Sequence, residues 1–131
     1  MTHRSAFVLF AHGARDPAWA LPLQRLAQLI ETRSPATTVR TSFLELQQPS
    51  LDEVIDALAP THHTVIVVPI FWAAAGHVQQ SLPAMLAAAR ARHPALHVFC
   101  LPVLSELPGL LEHVTDAALA LARQADDPHR S

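Results

Sequence analysis

The hydrophobic positions along the chain fall into short continuous runs, separated by longer stretches with a regular spacing. Two runs, residues 6–11 and 64–71, contain no charged residue and are rich in Val, Ile and Phe. Continuous runs of this length are typical of strands that are covered on both faces, as in the centre of a parallel sheet. Residues 37–46 and 96–101 predict two further strands, and alternating polar residues in the first of these indicate a sheet edge.

Between the runs, apolar residues recur at steps of three and four, the spacing of one face of an α-helix. This spacing predicts helices over residues 17–33, 51–60, 81–93 and about 108–123. Trp19 is expected on the apolar face of the first helix, and Pro83 in the first turn of the third. Each predicted strand is therefore followed by one helix.

A strand followed by a helix, four times over, predicts an α/β fold: a four-stranded parallel sheet with helices on both faces. The two most apolar strands, one and three, should be neighbours, which gives the order 2-1-3-4 with right-handed crossovers. We expect a single domain over residues 1–131, half of a flavodoxin-like arrangement, with a frayed tail at 126–131. The gap between strands one and three is then the switch point at which such sheets bind ligands.

The amino-acid composition and net charge argue against a disordered protein, a membrane-spanning protein and a nucleic-acid-binding protein. A chain of 131 residues that is 50% hydrophobic and 15% charged can bury a core and is not expected to be disordered. No apolar run approaches the ~20 residues of a membrane span, and no separate signal region precedes the first strand. The net charge of −2 without a basic block argues against nucleic acid as a partner. The single cysteine, Cys100, allows no disulfide framework, and the expected location is therefore the cytoplasm. We expect the Cys100 side chain to be buried.

Two of the nine histidines follow strands at the predicted switch point. His12 ends strand one, His77 follows strand three, and Glu45 lies at the end of strand two. Two neutral imidazoles and a carboxylate can hold a divalent first-row metal with positions left open for another ligand. The alternative is that each side chain only hydrogen-bonds to nearby backbone. His62 and His63 fall at the opposite, amino edge, where a helix C-terminus favours a cationic imidazole.

A set of short motifs occurs in a fixed order over nearly the whole chain. They are His-Gly-Ala-Arg-Asp-Pro at 12–17, Phe-Leu-Glu at 43–45, Pro-Ser-Leu at 49–51, Val-Val-Pro-Ile-Phe at 67–71, and Gly-His-Val at 76–78 with Pro83. In this order and spacing they resemble the small class II chelatases, the CbiX/SirB-type sirohydrochlorin chelatases. The length resembles the short CbiX form, in which two identical chains do the work of a two-domain chelatase.

The resemblance implies a chelatase-like fold and ATP-independent insertion of cobalt, iron or nickel into sirohydrochlorin or a related tetrapyrrole, in cobalamin or sirohaem synthesis. The metal would be a substrate, no organic cofactor is expected, and the enzyme would be a homodimer. His12 and His77 match the family's metal-binding histidines, and Glu45 matches an acidic position that joins them in related cobalt chelatases. These three are the expected catalytic residues and metal ligands, because the macrocycle must lose two pyrrole protons as the metal enters. Gly76 and Val78 are expected to contact the tetrapyrrole.

The chain departs from the family's usual pattern at two places. Ala14 stands where a serine is frequent, and Gln-Gln-Ser-Leu at 79–82 replaces a basic residue followed by Asp-Ile-Pro. These changes remove charge near the expected site and put the choice of substrate, and to a lesser degree the activity, in question. Arg15 is then the candidate partner for the substrate's carboxylates, with a salt bridge to a neighbouring carboxylate as the alternative.

Two other classes of protein compete with a chelatase. A non-catalytic carrier could bind a metal or tetrapyrrole with the same histidines and not accelerate insertion. An unrelated doubly wound binding module is the second, but the chain has neither the acidic cluster and lysine of a phosphoacceptor receiver nor a Ser/Thr/Gly-rich phosphate loop. The residues alone leave the physiological metal and tetrapyrrole open.

Overall fold

The computed structural model of the protein describes residues 4–74 and 76–126, and the side chains of residues 77–79 lie outside this description. In chain order the elements are β1 (Ser5–Ala11), a first 3-10 turn (Pro17–Ala20), α1 (Leu21–Arg33), β2 (Thr38–Phe43), α2 (Leu51–Leu58), β3 (Thr64–Pro69), α3 (His77–Arg92), β4 (His97–Cys100), a second 3-10 turn (Leu104–Glu106) and α4 (Leu110–Ala125). The tail predicted over 126–131 falls outside the described residues beyond Asp126.

All four strands are parallel and lie in the order β2-β1-β3-β4, which confirms the predicted α/β fold. The centre of β1 and β3 is fully buried, with Val8, Val65 and Val67 at 0% exposure. In the register of the sheet, Ala11 pairs with Phe43, and Phe10 pairs with Pro69. The carboxyl ends of β1, β2 and β3 therefore lie level with one another at one edge.

The two faces of the sheet are covered unequally. On one face, α2 and α3 pack against β1, β3 and β4 and form the larger core cluster. On the other face, α1 packs over β1 and β2 and forms the smaller cluster. The fourth helix, α4, has no buried side chain. No helix in the described ranges is long and apolar enough to cross a membrane.

The first α-helix begins later than the sequence pattern predicts. Asp16 accepts a hydrogen bond from the Ala18 N–H at 2.9 Å and caps a 3-10 turn that begins at Pro17. Pro22 has no N–H to donate to the Ala18 carbonyl four residues before it, and that carbonyl instead accepts from the Leu21 N–H. The regular helix begins only at Leu21. The prediction that Trp19 lies on the buried face of this helix is wrong, because the 3-10 turn leaves its indole 73% exposed.

Two further sequence expectations need correction. The third helix begins at His77, four residues before the predicted start, and Pro83 lies inside it rather than in its first turn. Cys100 is exposed and not buried. It is the last residue of the edge strand β4, where the cover provided by the helices ends, and partial burial still raises the pKa of its thiol.

Candidate functional site

The loops that follow β1 and β2 are joined by backbone hydrogen bonds beyond the ends of the strands. The Leu44 N–H donates to the Ala11 carbonyl at 2.9 Å, and the Glu45 N–H donates to the His12 carbonyl at 3.1 Å. These bonds continue the parallel ladder past the point where regular pairing ends. The sheet thereby places His12 and Glu45 side by side at its carboxyl edge.

Three features make the joined loops a close-packed unit. Gly13 has a φ of 94°, and a Cβ atom at this position would collide with the carbonyl oxygen of Glu45. The Ala14 N–H donates to the Gln47 side-chain oxygen at 3.0 Å. Leu46 adopts a positive φ of 66°, a strained conformation for a branched side chain. Glycine at position 13 and the amide of Gln47 therefore fix the two loops against each other.

The His12 and Glu45 side chains face each other across a short gap. His12 Nε2 lies 3.4 Å from Glu45 Oε1, and the two side chains are 54% and 56% exposed. His12 Nδ1 lies 3.2 Å from the Gly13 carbonyl oxygen. In the tautomer that donates from Nδ1 to this carbonyl, the Nε2 lone pair faces the carboxylate, which is the usual arrangement around a metal-bound histidine.

The gap has the size that a shared metal ion requires. Nitrogen and oxygen ligands bind such metals at roughly 2.0–2.2 Å, so two adjacent ligands are separated by about 3.0–3.4 Å. The 3.4 Å between His12 Nε2 and Glu45 Oε1 lies at the upper end of this range. Within the described residues, no group of three or more His, Cys, Asp or Glu side chains could hold a metal. The described site thus offers two ligands.

A cleft of about 270 Å³ opens on the α3 side of this pair. It is lined by His12, Leu44, Glu45 and Ser81. Ser81 belongs to the second turn of α3, so the N-terminal part of this helix borders the site. A cleft therefore opens at the carboxyl edge of the sheet, between the ends of β1 and β2 and the start of α3.

The segment that leads into α3 carries the other predicted site residues. Gly76 is the N-cap residue of α3 and has a φ of 63° and a ψ of −138°, a combination that essentially only glycine adopts. His77 is the first residue of the helix. The side chains of His77 and Val78 lie outside the described part of the chain, so their roles as metal ligand and substrate contact stay predictions.

A second cleft, of about 390 Å³, lies on the α1 side of His12. Its walls include Trp19, Phe43, Gln47 and Ile70. Trp19 was expected in the core, and Gln47 was given no role, so sequence reasoning missed both. Pro22, which has no N–H to donate within a helix that begins at residue 17, is the signal that could have placed the start of the regular helix after Trp19.

Arg15 is exposed beside these clefts. No carboxylate in the described ranges forms an ion pair with it, so the salt bridge considered as its alternative role is not seen among these residues. Its guanidinium is therefore free to meet an acidic group of a ligand.

A larger cleft lies elsewhere, at the amino edge of the sheet. It has a volume of about 440 Å³ and is lined by residues 59–63 and 92–96. His62 in this cleft is hydrogen-bonded through both ring nitrogens: Nδ1 lies 3.2 Å from the Leu58 carbonyl oxygen at the end of α2, and Nε2 lies 3.0 Å from Thr38 Oγ1. Ligands of open α/β sheets bind at the carboxyl edge, so cleft size does not identify the site here.

His93 at the same amino edge is also paired. Its Nε2 lies 2.6 Å from Asp56 Oδ1, and Arg92 lies 3.1 Å from the same oxygen. The hydrogen bond from His93 has the largest effect and lowers the pKa of Asp56. Burial has the next largest effect and opposes it, and the hydrogen bond and charge of Arg92 lower the pKa further. This cluster ties the end of α3 to α2 and serves the fold.

Comparison with known proteins identifies the class to which this fold and site belong. The CbiX family model matches residues 6–120, and the chain belongs to this family. This confirms the resemblance inferred from the motifs. The sirohydrochlorin cobaltochelatase of Methanopyrus kandleri is 32% identical over 62% of this chain and 57% of its own length. That of Methanosarcina acetivorans is 30% identical over 66% of this chain and 67% of its own. The chain thus matches little more than half of the first of these relatives.

Solved structures agree with the fold. A CbiX protein from Marinobacter aquaeolei VT8 superposes with a TM-score of 0.75 at 25% identity, over 92% of this chain and 98% of the other. SirB from Bacillus subtilis subspecies spizizenii, solved in complex with cobalt, superposes with a TM-score of 0.65 at 24% identity, over 76% of this chain and 43% of its own. This second likeness supports the fold alone, and the chain corresponds to less than half of that longer protein.

Proposed function

We propose that this protein is a sirohydrochlorin chelatase that inserts a divalent metal into a modified tetrapyrrole without ATP. Cobalt is the first candidate metal because the curated relatives are named cobaltochelatases, with iron or nickel as alternatives. The observation that carries the proposal is the His12–Glu45 pair, which stands open at the carboxyl edge with a gap of 3.4 Å. The metal is a substrate, and no organic cofactor takes part.

In this proposal His12, Glu45 and His77 hold the incoming metal weakly. Neutral imidazole and carboxylate are ligands that a tetrapyrrole's nitrogens can replace one at a time, because several positions on the metal stay open. The two pyrrole N–H protons must leave as the metal enters. Glu45 and His12 are bases at the cleft on the α3 side, and each can accept a proton once the metal has passed to the macrocycle.

The substrate contacts follow from the two clefts on either side of His12. The exposed Trp19 indole offers a flat apolar surface on which a macrocycle can stack. Arg15 is proposed to pair with one of the substrate's carboxylates. Gly76 and Val78, at the start of α3, are proposed to contact the macrocycle from the opposite side.

We further infer that residues 1–131 form a single domain and that the enzyme works as a homodimer in the cytoplasm. A four-stranded sheet is a small platform for a macrocycle, and the exposed apolar side chains of the chain offer a surface that a second copy can cover. The unpaired, exposed Cys100 suits a reducing compartment. Sedimentation that shows only monomer at tens of micromolar would contradict the dimer.

The decisive experiment is single-turnover insertion of cobalt into sirohydrochlorin, followed by absorbance, with enzyme in excess. We expect the rate to exceed that of cobalt and sirohydrochlorin in buffer by at least about 100-fold. The second candidate function, a carrier, predicts binding of cobalt or sirohydrochlorin with no acceleration of insertion. A saturable absorbance change at the uncatalysed rate would therefore support the carrier and contradict the chelatase.

A further inference from the structure

Gln47 brings a carboxamide into the cleft of about 390 Å³ on the α1 side of His12, which we call the α1-side cleft. Gln47 is half-buried and lies on the loop after β2, two residues beyond Glu45. Apart from this amide and the His12 ring, the cleft is walled by the Trp19 indole, by apolar side chains and by backbone. Among the residues that the structure describes, no carboxylate lines it. A ligand in this cleft therefore meets few polar groups, and Gln47 is one that can orient it.

One end of the Gln47 carboxamide is fixed and the other end is available. The Ala14 N–H donates to Gln47 Oε1 at 3.0 Å. Only the oxygen of a carboxamide can accept from a backbone N–H, so this bond decides which end of the side chain is oxygen and which is nitrogen. Within residues 4–74 and 76–126, Gln47 Nε2 donates to no acceptor. Its two N–H groups are therefore held in place and ready to bind a ligand.

The backbone before Gln47 forms a tight and strained turn. The Gln47 N–H donates to the Glu45 carbonyl at 2.8 Å, a bond across two residues that closes a γ-turn with Leu46 at its centre. The positive φ of 66° at Leu46 makes this the strained form of the turn. The turn leaves Glu45 facing His12 and lets the Gln47 side chain reach the Ala14 N–H. The same turn thus places both the carboxylate of the metal pair and the amide of the α1-side cleft.

The groups in the α1-side cleft define the ligand that fits it. The Trp19 indole is 73% exposed and offers a flat face to a planar ring. Gln47 Nε2 can only donate, so it requires an acceptor atom at the rim of that ring. An ionised acceptor gives the stronger hydrogen bond, and no carboxylate among the described lining residues repels an anion. The cleft therefore suits a flat molecule that carries carboxylates at its rim.

We propose that Gln47 is a specificity-determining residue, whose Nε2 binds a rim carboxylate of a tetrapyrrole that is stacked on Trp19. The contact rests on the proposed function and deepens it, because it adds a neutral, oriented donor to the charge of Arg15. A neutral donor rejects a ligand that lacks the matching acceptor, since the donor is then left unpaired in the cleft. The bond from Ala14 to Gln47 also joins this contact to the loop that carries His12.

The main test is Gln47→Glu, which keeps the length and shape of the side chain. One carboxylate oxygen still accepts from the Ala14 N–H, so the two loops stay joined, while the N–H donors are replaced by an oxygen of negative charge. The Kd for metal-free sirohydrochlorin, titrated by absorbance, should rise by at least about 10-fold. The thermal midpoint should stay close to that of the wild type. The single-turnover rate of cobalt insertion at saturating sirohydrochlorin should fall by less than about threefold.

A second variant, Gln47→Met, separates substrate binding from a purely structural role. Methionine fills a similar volume but neither accepts from the Ala14 N–H nor repels a carboxylate. If Gln47 acted only through its bond to Ala14, Gln47→Met would bind sirohydrochlorin more weakly than Gln47→Glu. The proposed contact predicts the opposite order for Kd, whereas the thermal midpoint should be lower in Gln47→Met than in Gln47→Glu.

The matched control is Gln48→Glu, which makes the same chemical change at the next residue. Gln48 is exposed and does not line the α1-side cleft. This variant should bind metal-free sirohydrochlorin with the wild-type Kd. An equal rise of Kd in Gln48→Glu would mean that negative charge anywhere on this loop repels the substrate, and would overturn the contact.

Measuring binding and insertion separately distinguishes this inference from the proposed function. If the wild type binds metal-free sirohydrochlorin but does not accelerate cobalt insertion, the chelatase proposal fails, and the Kd values still decide the role of Gln47. A wild-type Kd in Gln47→Glu, or weaker binding by Gln47→Met than by Gln47→Glu, would overturn the contact and leave the His12–Glu45 pair untouched. A wild type that binds no sirohydrochlorin would overturn both proposals.

Discussion

The two edges of the sheet each place a histidine beside a carboxylate, yet only one of these pairs has room for a metal. At the amino edge, His93 Nε2 and Asp56 Oδ1 are 2.6 Å apart, a closed hydrogen bond. At the carboxyl edge, His12 Nε2 and Glu45 Oε1 are 3.4 Å apart. The first distance excludes an ion between the two atoms, whereas the second matches the separation of two ligands on one metal.

The two histidine–carboxylate pairs also differ in whether their nitrogen and oxygen atoms already have other partners. The Asp56 oxygen is shared with Arg92, and the His93 side chain is only 25% exposed. The His12 side chain is 54% exposed, and its second ring nitrogen lies 3.2 Å from the Gly13 carbonyl oxygen of its own loop. The comparison teaches that residue type and cleft size do not distinguish the two pairs. The proposed metal site is the pair whose lone pairs are not already engaged by the fold.

The largest predicted effect comes from removing a ligand at the carboxyl edge. His12→Ala should lower single-turnover cobalt insertion by at least about 100-fold, because it leaves Glu45 without its facing ligand, and His77→Ala should do the same if His77 is the third ligand. The thermal midpoint of His12→Ala should change little, since the side chain is half exposed. The control at the other edge is His62→Ala, which should keep the wild-type rate. If both histidine variants stay folded and fully active, the metal-site assignment is wrong.

The second prediction concerns the backbone that holds the pair together. Gly13→Ala forces a Cβ atom into the Glu45 carbonyl at a positive φ, so it should cost about 1–3 kcal/mol of stability and slow insertion by about 10-fold or more. The matched control is Gly76→Ala, where φ is also positive but no atom lies within 4 Å of the added Cβ. Chemical denaturation of both variants measures the difference. Equal costs would show that backbone strain alone matters and that the two loops are not locked by contact.

Trp19 supplies the third prediction, which tests whether the carboxyl edge binds a flat substrate. Trp19→Ala should raise KM for sirohydrochlorin by about 10-fold with little change in kcat, and Trp19→Phe should recover most of the loss, because an aromatic ring still offers a stacking surface. Stability should hardly change, because the indole is 73% exposed. An unchanged KM in Trp19→Ala would remove the indole from the substrate site.

The sequence predicts the order of the strands and the residues at their ends better than it predicts which surfaces pack together. Strand order and the level carboxyl edge follow from continuous apolar runs, and the meeting of His12 with Glu45 follows from that edge. The placement of Trp19 failed because Pro22 delays the regular helix to Leu21 and leaves Trp19 in a 3-10 turn. The unpacked α4 could not be foreseen, because the amphipathic pattern shows that a helix needs an apolar partner and not which surface provides it.

The smallest effect is expected at the amino edge and concerns stability alone. The hydrogen bond from His93 lowers the pKa of Asp56 below its ordinary value of 3.8, so the ionised carboxylate stabilises the folded state. A lowered pKa gives stability that is fully present above the pKa of the unfolded chain and is lost as pH falls through the folded value. Asp56→Asn should therefore lower the thermal midpoint at pH 5–7, and the difference from wild type should shrink as the pH falls below 3.8.

Asp56→Asn should lower the thermal midpoint by less than about 5 °C, because the Asp56 side chain is 48% exposed and solvent screens such pairs. Scanning calorimetry of wild type and Asp56→Asn across this pH range measures it. Cobalt insertion by Asp56→Asn should equal that of the wild type, since the engaged pair lies at the edge opposite the chemistry. If this variant instead lost insertion as His12→Ala is expected to, the two edges would act together, and the contrast between an engaged and an open pair would not explain where the metal binds.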